Sequence, residues 1–519
     1  MVSLSRLVGR LCGVAPRLQN PPAASSGSTR VPVGPVLVVG GGIAGVTAAV
    51  VLAERGVPVR VYEAASQLGG RLDATVHHLP DGTAQPVDHG FHGFFRQYYN
   101  WRNVLARIDS TGTLLRPLGS YPVISRRWPD EQFDRLPSTP PISIAALVAR
   151  SPSLRLRELI RANHRAAHHL LAFDAGHTYT WLDHLSAEEY MASLNLSEQA
   201  RAMLFNVFAH SFFNDAARMS AAEMVAMFHF YFLANPEGLG MDAPHADYQT
   251  AIWSPLQQYL ERHGGHVRTN TPITRLRPAS PTGWQIDLAS GEQLETAHVI
   301  LAVDARSAGT LLARSPEVTA VDSRLAGLAE QPLAGPPYAV ARYWLSGDVH
   351  SHRAPFTSIG DAKLLDSIAL YHRFEHHARR WHNHTGGAVV ELHAYACPDH
   401  VTAEKLGQAM LTELADLWPE THQLKVIDQR CHVGHDAAGF PVGAHARRPG
   451  IRSQLTGLTL AGDWINLPIP AALMERAATS GIMAANTILA SHGHPTEPIW
   501  SVPTRGLLAH TRAQPIRSG

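Results

Sequence analysis

Uninterrupted apolar runs, helical spacings and strict alternations follow one another along this chain. The first run is Val36–Val39, followed by three glycines and an Ala/Val-rich stretch to about Arg55. A short apolar run, a glycine break and a longer apolar stretch predict a buried strand, a tight turn and a helix. Gly56 stands where a helix C-cap glycine is expected. Val57, Val59 and Val61 then alternate, which predicts a strand ending at Glu63. The uncharged run 36–53 approaches the length of a membrane span, but its glycines favour strand, turn and helix.

The middle of the chain is punctuated as helix. Ser186 with Glu189, and Ser220 with Glu223, each fit a capping box. The second box opens a predicted helix carrying Met224, Met227, Phe228, Tyr231 and Phe232; Phe205, Phe208, Phe212 and Phe213 precede it. Rings and methionines at helical spacing ordinarily mean core. Here they lie nearly all round the helix, which also fits the wall of a lipophilic pocket. From Val267 the pattern shortens to strands, at 267–269, 273–276, 284–288 and 299–303, with Gly291 in a hairpin-type loop. The last pattern is a strand over 458–463 and a helix over 470–489. No internal repeat is visible.

Composition narrows the class. Of 519 residues, 45% are hydrophobic and 17% charged, so a sizeable core is expected. The net charge of +1 gives no pull toward nucleic acid. Cys12, Cys397 and Cys431 make an odd, unpatterned set that suits a reducing compartment. Before the first acidic residue, Glu54, lie Arg6, Arg10, Arg17 and Arg30, with Leu4, Val8 and Leu11 at helical spacing. This reads as a targeting or membrane-surface segment, or as a disordered tail, given the Pro/Ser/Gly stretch 20–34. A disordered basic tail is expected over 1–34 and a second tail over 493–519.

Three motifs point to a nucleotide. Gly40, Gly42 and Gly45 follow a strand and open a helix. The first glycine permits the turn, the second lets the backbone approach a pyrophosphate, and the third lets helix and strand pack. The helix N-terminus favours the negative charge. Glu63, closing the second strand, is placed to accept hydrogen bonds from ribose hydroxyls. Gly69, Gly70 and Arg71 then offer close backbone access and a guanidinium for a diphosphate. Far along the chain, Gly462 and Asp463 stand between a strand end and a helix start, where an acid can hold a ribityl hydroxyl.

Together these motifs resemble the FAD-binding elements of the amine oxidase and phytoene desaturase superfamily, over about residues 35–490. The resemblance implies FAD, with Glu63 on the adenosine ribose, Gly69, Gly70 and Arg71 along the diphosphate, and Gly462 and Asp463 at the ribityl chain. It implies backbone contact with adenine along 267–273, between Val267 and Ile273, and places Gly90 and Glu475 among the cofactor contacts. The implied fold is α/β, a split Rossmann-type FAD-binding domain with an inserted α+β substrate domain. The FAD-binding domain is expected over 35–115, 245–310 and 445–492, and the substrate domain over 116–244 and 311–444.

Segments 88–102, 211–213, 227–232, 391–395 and 473–478 are similar to the carotenoid β-ring desaturase/methyltransferases, the isorenieratene synthase-like group. That similarity implies oxidation of carotenoid β-ionone rings to aromatic rings, with a methyl group migrating within the ring. Phe208, Phe212, Met227, Phe228 and Tyr231 are the candidate substrate wall. Two pairs are candidate proton acceptors: Asp88 with His92, near the implied flavin, and Glu391 with His393, which share a strand face. The alternatives on the same frame are an acyclic carotene desaturase or isomerase, or an amine oxidase. A further alternative is a non-catalytic flavin- or lipid-binding protein. The expected setting is cytoplasmic, peripheral at the inner face of the cell membrane, where a carotenoid is reached.

Other signals weigh less. His372, His376, His382 and His384 sit among arginines and read as surface; Cys397 with His400 and Cys431 with His432 fit neither a Rieske nor a zinc pattern. No metal is expected, and the acceptor that re-oxidises the flavin is left open.

Overall fold

The computed structural model describes residues 4–19, 31–119, 121–133, 136–279, 282–361 and 363–510. Its centre is a five-stranded sheet in the spatial order His266–Arg268, Val59–Tyr62, Val36–Val39, His298–Leu301, Leu458–Leu460. Every pairing in it is parallel. The central strands Val36–Val39 and His298–Leu301 are covered on both faces, which is why 36–39 and 299–301 read as continuous apolar runs, whereas Val59–Tyr62 exposes Arg60 and reads as an alternation. Val36, Val38, Val61, Val299, Ile300 and Leu460 are all essentially buried. Each such side chain stabilises the fold by roughly 1.5–3 kcal/mol.

The uncharged run 36–53 is the predicted strand, turn and helix. The helix Ile43–Ala53 is buried along its whole length, so it carries no polar face. Gly56 takes φ +71° and Val57 N–H donates to Leu52 O at 3.1 Å, closing the helix as expected. The long helix Leu473–Ser491 lies across it, and a Cβ on Gly481 would come within 2.3 Å of Ala44 O. That approach is open only to glycine. Among the described residues, no helix is long and apolar enough to cross a membrane.

The strands expected at 267–269 and 273–276 belong to different sheets. His266–Arg268 joins the parallel sheet, and Ile273–Pro278 starts a separate antiparallel meander with Trp284–Leu288 and Gln293–Thr296. Asn270 at φ +51° breaks the run between them. A six-stranded mixed sheet forms the second layer, in the order Val426–Gly434, Tyr338–Leu345, Ala388–Ala394, Ser367–Leu370, Phe356–Ile359, Val123–Ile124. The helices of 142–233 pack against it and against the parallel sheet's domain.

Of the two capping boxes, Ser186 with Glu189 forms reciprocally. Ser220 with Glu223 does not. Ser220 Oγ donates to Asp183 Oδ1 at 2.6 Å, and Glu223 turns inward to Arg448 at 2.9 Å, to Arg476 and to Tyr179 Oη at 2.6 Å. Two buried guanidinium groups attract a carboxylate more strongly than a backbone N–H does. The ion cluster ties the helix Ala221–Phe228 to the C-terminal helix.

The tail expectations need correction. Residues Leu4–Leu11 form a helix, and Arg17–Gln19 pairs antiparallel with Ile499–Ser501, so the two ends of the chain meet in a small sheet. Backbone pairing and burial of Ile499 and Val502 supply order that composition did not suggest. Residues 20–30 and 511–519, read as tail, lie outside the described residues.

Candidate active site

A single continuous cavity of about 640 Å³ runs from the C-terminal edge of the parallel sheet to the aromatic helices of the middle segment. That volume lies within the range of small-molecule sites, and ligands in open α/β sheets bind at this edge.

The sheet end of the cavity is built from backbone. The strand Val36–Val39 delivers Gly40 at φ +106°, and a Cβ there would come within 2.6 Å of Ala302 O. Gly42 caps the following helix without any side-chain hydrogen bond, and a Cβ on it would meet nothing closer than 3.9 Å. Its exposed face therefore opens to the cavity, with Ile43 and Ala44 beside it. Gly69 at φ +139° and Gly70 at φ +56° run alongside, and Gly69 N–H donates to Gly41 O at 3.0 Å. This is a side-chain-free trough at a helix N-terminus, the form a diphosphate requires. Glu63 faces the trough and accepts from Gly41 N–H at 2.7 Å and Ala65 N–H at 2.7 Å. Ile273 and Gly90 also lie on the wall.

Arg71 and Asp463, drawn from opposite ends of the chain, meet there as a two-pronged ion pair at 2.9 and 2.8 Å. Both line the cavity beside Gly462, so a guanidinium and a carboxylate are held in mutual register on its wall. The glycine trough, the acid at the second strand and this pair fit FAD.

Gly45 takes the packing role expected of it, and two expected cofactor contacts, Val267 and Glu475, stand elsewhere. Gly45 is one turn into the helix, where a Cβ would sit 2.0 Å from Gly40 O, so its part is helix-to-strand packing. Val267 is off the cavity wall, because its strand is the outermost of the sheet. Glu475 points away into the helix Tyr99–Leu105, accepting from Asn100 N–H at 2.9 Å and Trp101 N–H at 3.0 Å. Burial raises its carboxyl to about 8, against the pull of those donors. It is a cap for that helix, which otherwise has no side-chain cap.

The far end of the cavity is aromatic. Phe208, Phe212 and Tyr231 line it as expected. Phe212 stacks on Tyr231 with ring centroids 5.7 Å apart, and Tyr231 Oη meets Tyr98 Oη at 2.6 Å. Met227 and Phe228 do not reach the wall. Met227 is buried in the core, and Phe228 packs behind the wall, against Phe205 at 5.3 Å and the lining ring of Phe232 at 5.2 Å. The helix leaves its regular course at His229–Leu233, a wide turn that carries Tyr231 and Phe232 to the cavity.

The proton-acceptor candidates separate clearly. His92 and His393 line the cavity; Asp88 and Glu391 lie behind it. His92 Nδ1–H donates to Gly90 O at 2.8 Å, leaving Nε2 with its lone pair. Burial depresses this imidazole to about 4, so it is neutral at physiological pH. Asp88 accepts from Tyr248 N–H at 3.0 Å, and burial pushes its carboxyl well above the carboxylate range despite Arg342. A group both hidden and disinclined to ionise is not the acceptor. Glu391 is fully buried and saturated: Phe91 N–H at 2.7 Å, Arg342 at 2.8 and 2.6 Å, and His393 Nε2 at 2.8 Å. Burial acts to raise it, but Arg342 and His393 outweigh that and hold it at about 2. It is a fixed anion behind His393, whose Nδ1 lies 3.1 Å from Tyr395 Oη.

Sequence reasoning missed Tyr338, Tyr395 and Asp436. They border the cavity because three strands of the second sheet and the loop after them converge there. Tyr338 Oη donates to Asp436 Oδ1 at 2.8 Å and lies 2.7 Å from His89 Nε2. Only the cross-strand register, with Val340 opposite both His393 and His432, could have grouped them.

Comparison with known proteins agrees with this geometry. The flavin containing amine oxidoreductase family matches residues 43–489. The carotenoid phi-ring synthase of Streptomyces griseus is 41% identical over 92% of each chain, and that of Chlorobaculum tepidum is 26% identical over 91% of each. A zeta-carotene desaturase of Synechocystis is 26% identical over 47% of this chain and 50% of its own. Among solved structures, putrescine oxidase bound to putrescine superposes with a TM-score of 0.63 at 16% identity, covering 88% of this chain and 99% of that one. An oxidoreductase from Methanosarcina mazei gives 0.62 at 14%, covering 86% and 99%. By its motifs, its fold and these relatives, the chain belongs to the flavin containing amine oxidoreductase family and is an FAD-dependent oxidoreductase.

Proposed function

We propose that the chain oxidises an end ring of a carotenoid to an aromatic ring, with a methyl group shifting to the neighbouring ring carbon. The observation that carries this reading is the cavity's division: a side-chain-free trough at the sheet end and a wall of rings at the other, with few charges facing the rings. The 41% identity to a carotenoid phi-ring synthase supports the same reading.

When bound, FAD supplies the two-electron oxidation. The chain's own residues orient the ring, exclude water and remove protons. Phe212 and Tyr231 present aromatic faces to the ring, and such faces stabilise positive charge through their quadrupole. His393 takes a proton at Nδ1 when Tyr395 Oη swings aside, and the Glu391 carboxylate on Nε2 stabilises the imidazolium. His92 Nε2, fixed by the Nδ1–H bond to Gly90 O, is a second acceptor on the wall.

A carotenoid is reached from lipid, and we propose that the protein works at a membrane surface. The helix Leu4–Leu11 exposes Leu4 (71%), Leu7 (53%) and Leu11 (82%) with Arg10 alongside, the composition of an interfacial helix. Liposome flotation checks this: protein that stays wholly in the soluble fraction refutes it.

Co-expression in a β-carotene-producing bacterium, with pigments resolved by chromatography and mass spectrometry, tests the activity. The expected product is four hydrogens lighter per altered ring and carries an aromatic ring signature. Unchanged β-carotene beside FAD-loaded protein would refute the ring reaction and direct the search to acyclic polyenes and amines.

A further inference from the structure

The histidines read as surface from sequence are not all at the surface. His372 is buried and His382 half-buried, while His376 and His384 are exposed. We infer that His372, His382 and Asp348 form a binding site for one divalent transition-metal ion, of the zinc class, remote from the flavin cavity.

The three side chains come from separate elements: Asp348 from the loop after Tyr338–Leu345, His372 from the short helix Tyr371–Phe374, and His382 from the helix His376–Thr385. One ligand atom from each lies within 4.8 Å of the others. Around a tetrahedral ion with ligand distances of about 2.0–2.2 Å, ligand atoms stand roughly 3.3 Å apart. His372 Nε2 and Asp348 Oδ1 are already 2.9 Å apart, so closing the triad asks His382 to move by no more than about 1.5 Å.

The surroundings are those of a prepared site. A metal-ligating imidazole almost always donates its other N–H to a backbone carbonyl or carboxylate, which fixes the ring and its tautomer. His382 Nδ1 lies 2.8 Å from Gly387 O, and His372 Nδ1 lies 3.2 Å from Val389 O. In that arrangement both rings turn Nε2 toward Asp348. His372 Nδ1 also lies 3.1 Å from Val389 N, so either tautomer is held by the backbone of the same residue. Asp348 is oriented too, with Oδ2 on Arg373 at 2.8 Å and Oδ1, which accepts from Val349 N–H at 2.9 Å, turned to His372. Two imidazoles and one carboxylate, half open to solvent, leave room for water as a fourth ligand. No ligand of this set lines the flavin cavity. The bound ion would clamp the loop at 348 to the helix ahead of Ala388–Ala394, the strand that carries Glu391 and His393.

The test uses full-length flavoprotein, stripped of metal and titrated with Zn²⁺ against a chromophoric chelator. The expected result is one Zn²⁺ per chain, weakened more than about tenfold in His382→Gln and in Asp348→Asn. A His376→Gln/His384→Gln variant, lacking only exposed imidazoles, keeps wild-type affinity. Flavin absorbance reports that each variant is folded, and Co²⁺ absorption in the unaltered chain reports a low-coordinate N/O ligand set without any substitution. Absence of stoichiometric binding, binding unmoved by both ligand substitutions in flavin-loaded protein, or equal loss in the control variant would overturn the assignment.

Discussion

Replacing Glu391 by glutamine removes one charge without changing shape. In the structure its Oε2 takes both contacts from Arg342, at 2.8 and 2.6 Å, and its Oε1 takes His393 Nε2 and the Phe91 N–H. Arg342 is 3% exposed, so it would be left as an uncompensated buried cation. Losing one partner of a buried pair destabilises by about 3–5 kcal/mol. The amide also ceases to stabilise an imidazolium at His393, and loss of a positioned acid–base partner lowers turnover by about 10²–10⁴. The two effects separate in a double variant, Arg342→Met with Glu391→Gln. Removing the orphaned cation restores most of the stability, while turnover stays low because His393 still lacks its anion. Chemical denaturation followed by tryptophan fluorescence gives the first quantity and pigment conversion per milligram of flavoprotein the second. If Glu391→Gln unfolds within about 0.5 kcal/mol of the parent and converts pigment at the parental rate, the role assigned to the Arg342–Glu391–His393 chain is wrong.

Gly42→Val places methyl groups in the diphosphate trough and should yield folded protein without yellow colour, whereas Gly45→Ala, with its Cβ 2.0 Å from Gly40 O, should lower the melting temperature as well; spectra and melting curves distinguish them. Met227→Ala should destabilise by about 2–5 kcal/mol, since the side chain is 1% exposed, while leaving the product unchanged, because it is off the cavity wall. His229 is buried with Nε2 donating to Pro503 O at 2.7 Å, and burial lowers it to about 4. Its folded value lies below its unfolded value, so its contribution is present above about 6.5 and is lost as pH falls toward 4. His229→Gln should flatten the melting-temperature profile across that window, and an unaltered profile would refute the assignment.

The nucleotide end of the site was legible because its chemistry is local. Gly40, Gly42 and Glu63 lie within one strand–helix–strand unit, where the backbone conformation each needs is fixed by neighbours in sequence. Continuous apolar runs declared a doubly covered parallel sheet for the same reason. Helical spacing also announced the aromatic segment, yet it could not say which rings face a cavity: Tyr231 and Phe228 are three residues apart, but Tyr231 lines the cavity while Phe228 packs behind the lining ring of Phe232. Glu223 fitted a capping rule and Glu475 a resemblance, and both went elsewhere, drawn by buried arginines and by unpaired backbone N–H groups of a distant helix. The polar groups on the second-sheet side of the cavity belong to the same class. His393, Tyr395, Tyr338 and Asp436 are assembled by cross-strand register and loop convergence, and Asp348 meets His372 and His382 across three elements. Sequence by itself determined what forms within a single turn or strand, because those energies involve residues a few positions apart. Tertiary structure alone decided which buried polar groups pair, because a charge taken out of water is satisfied by whichever partner the packing brings near.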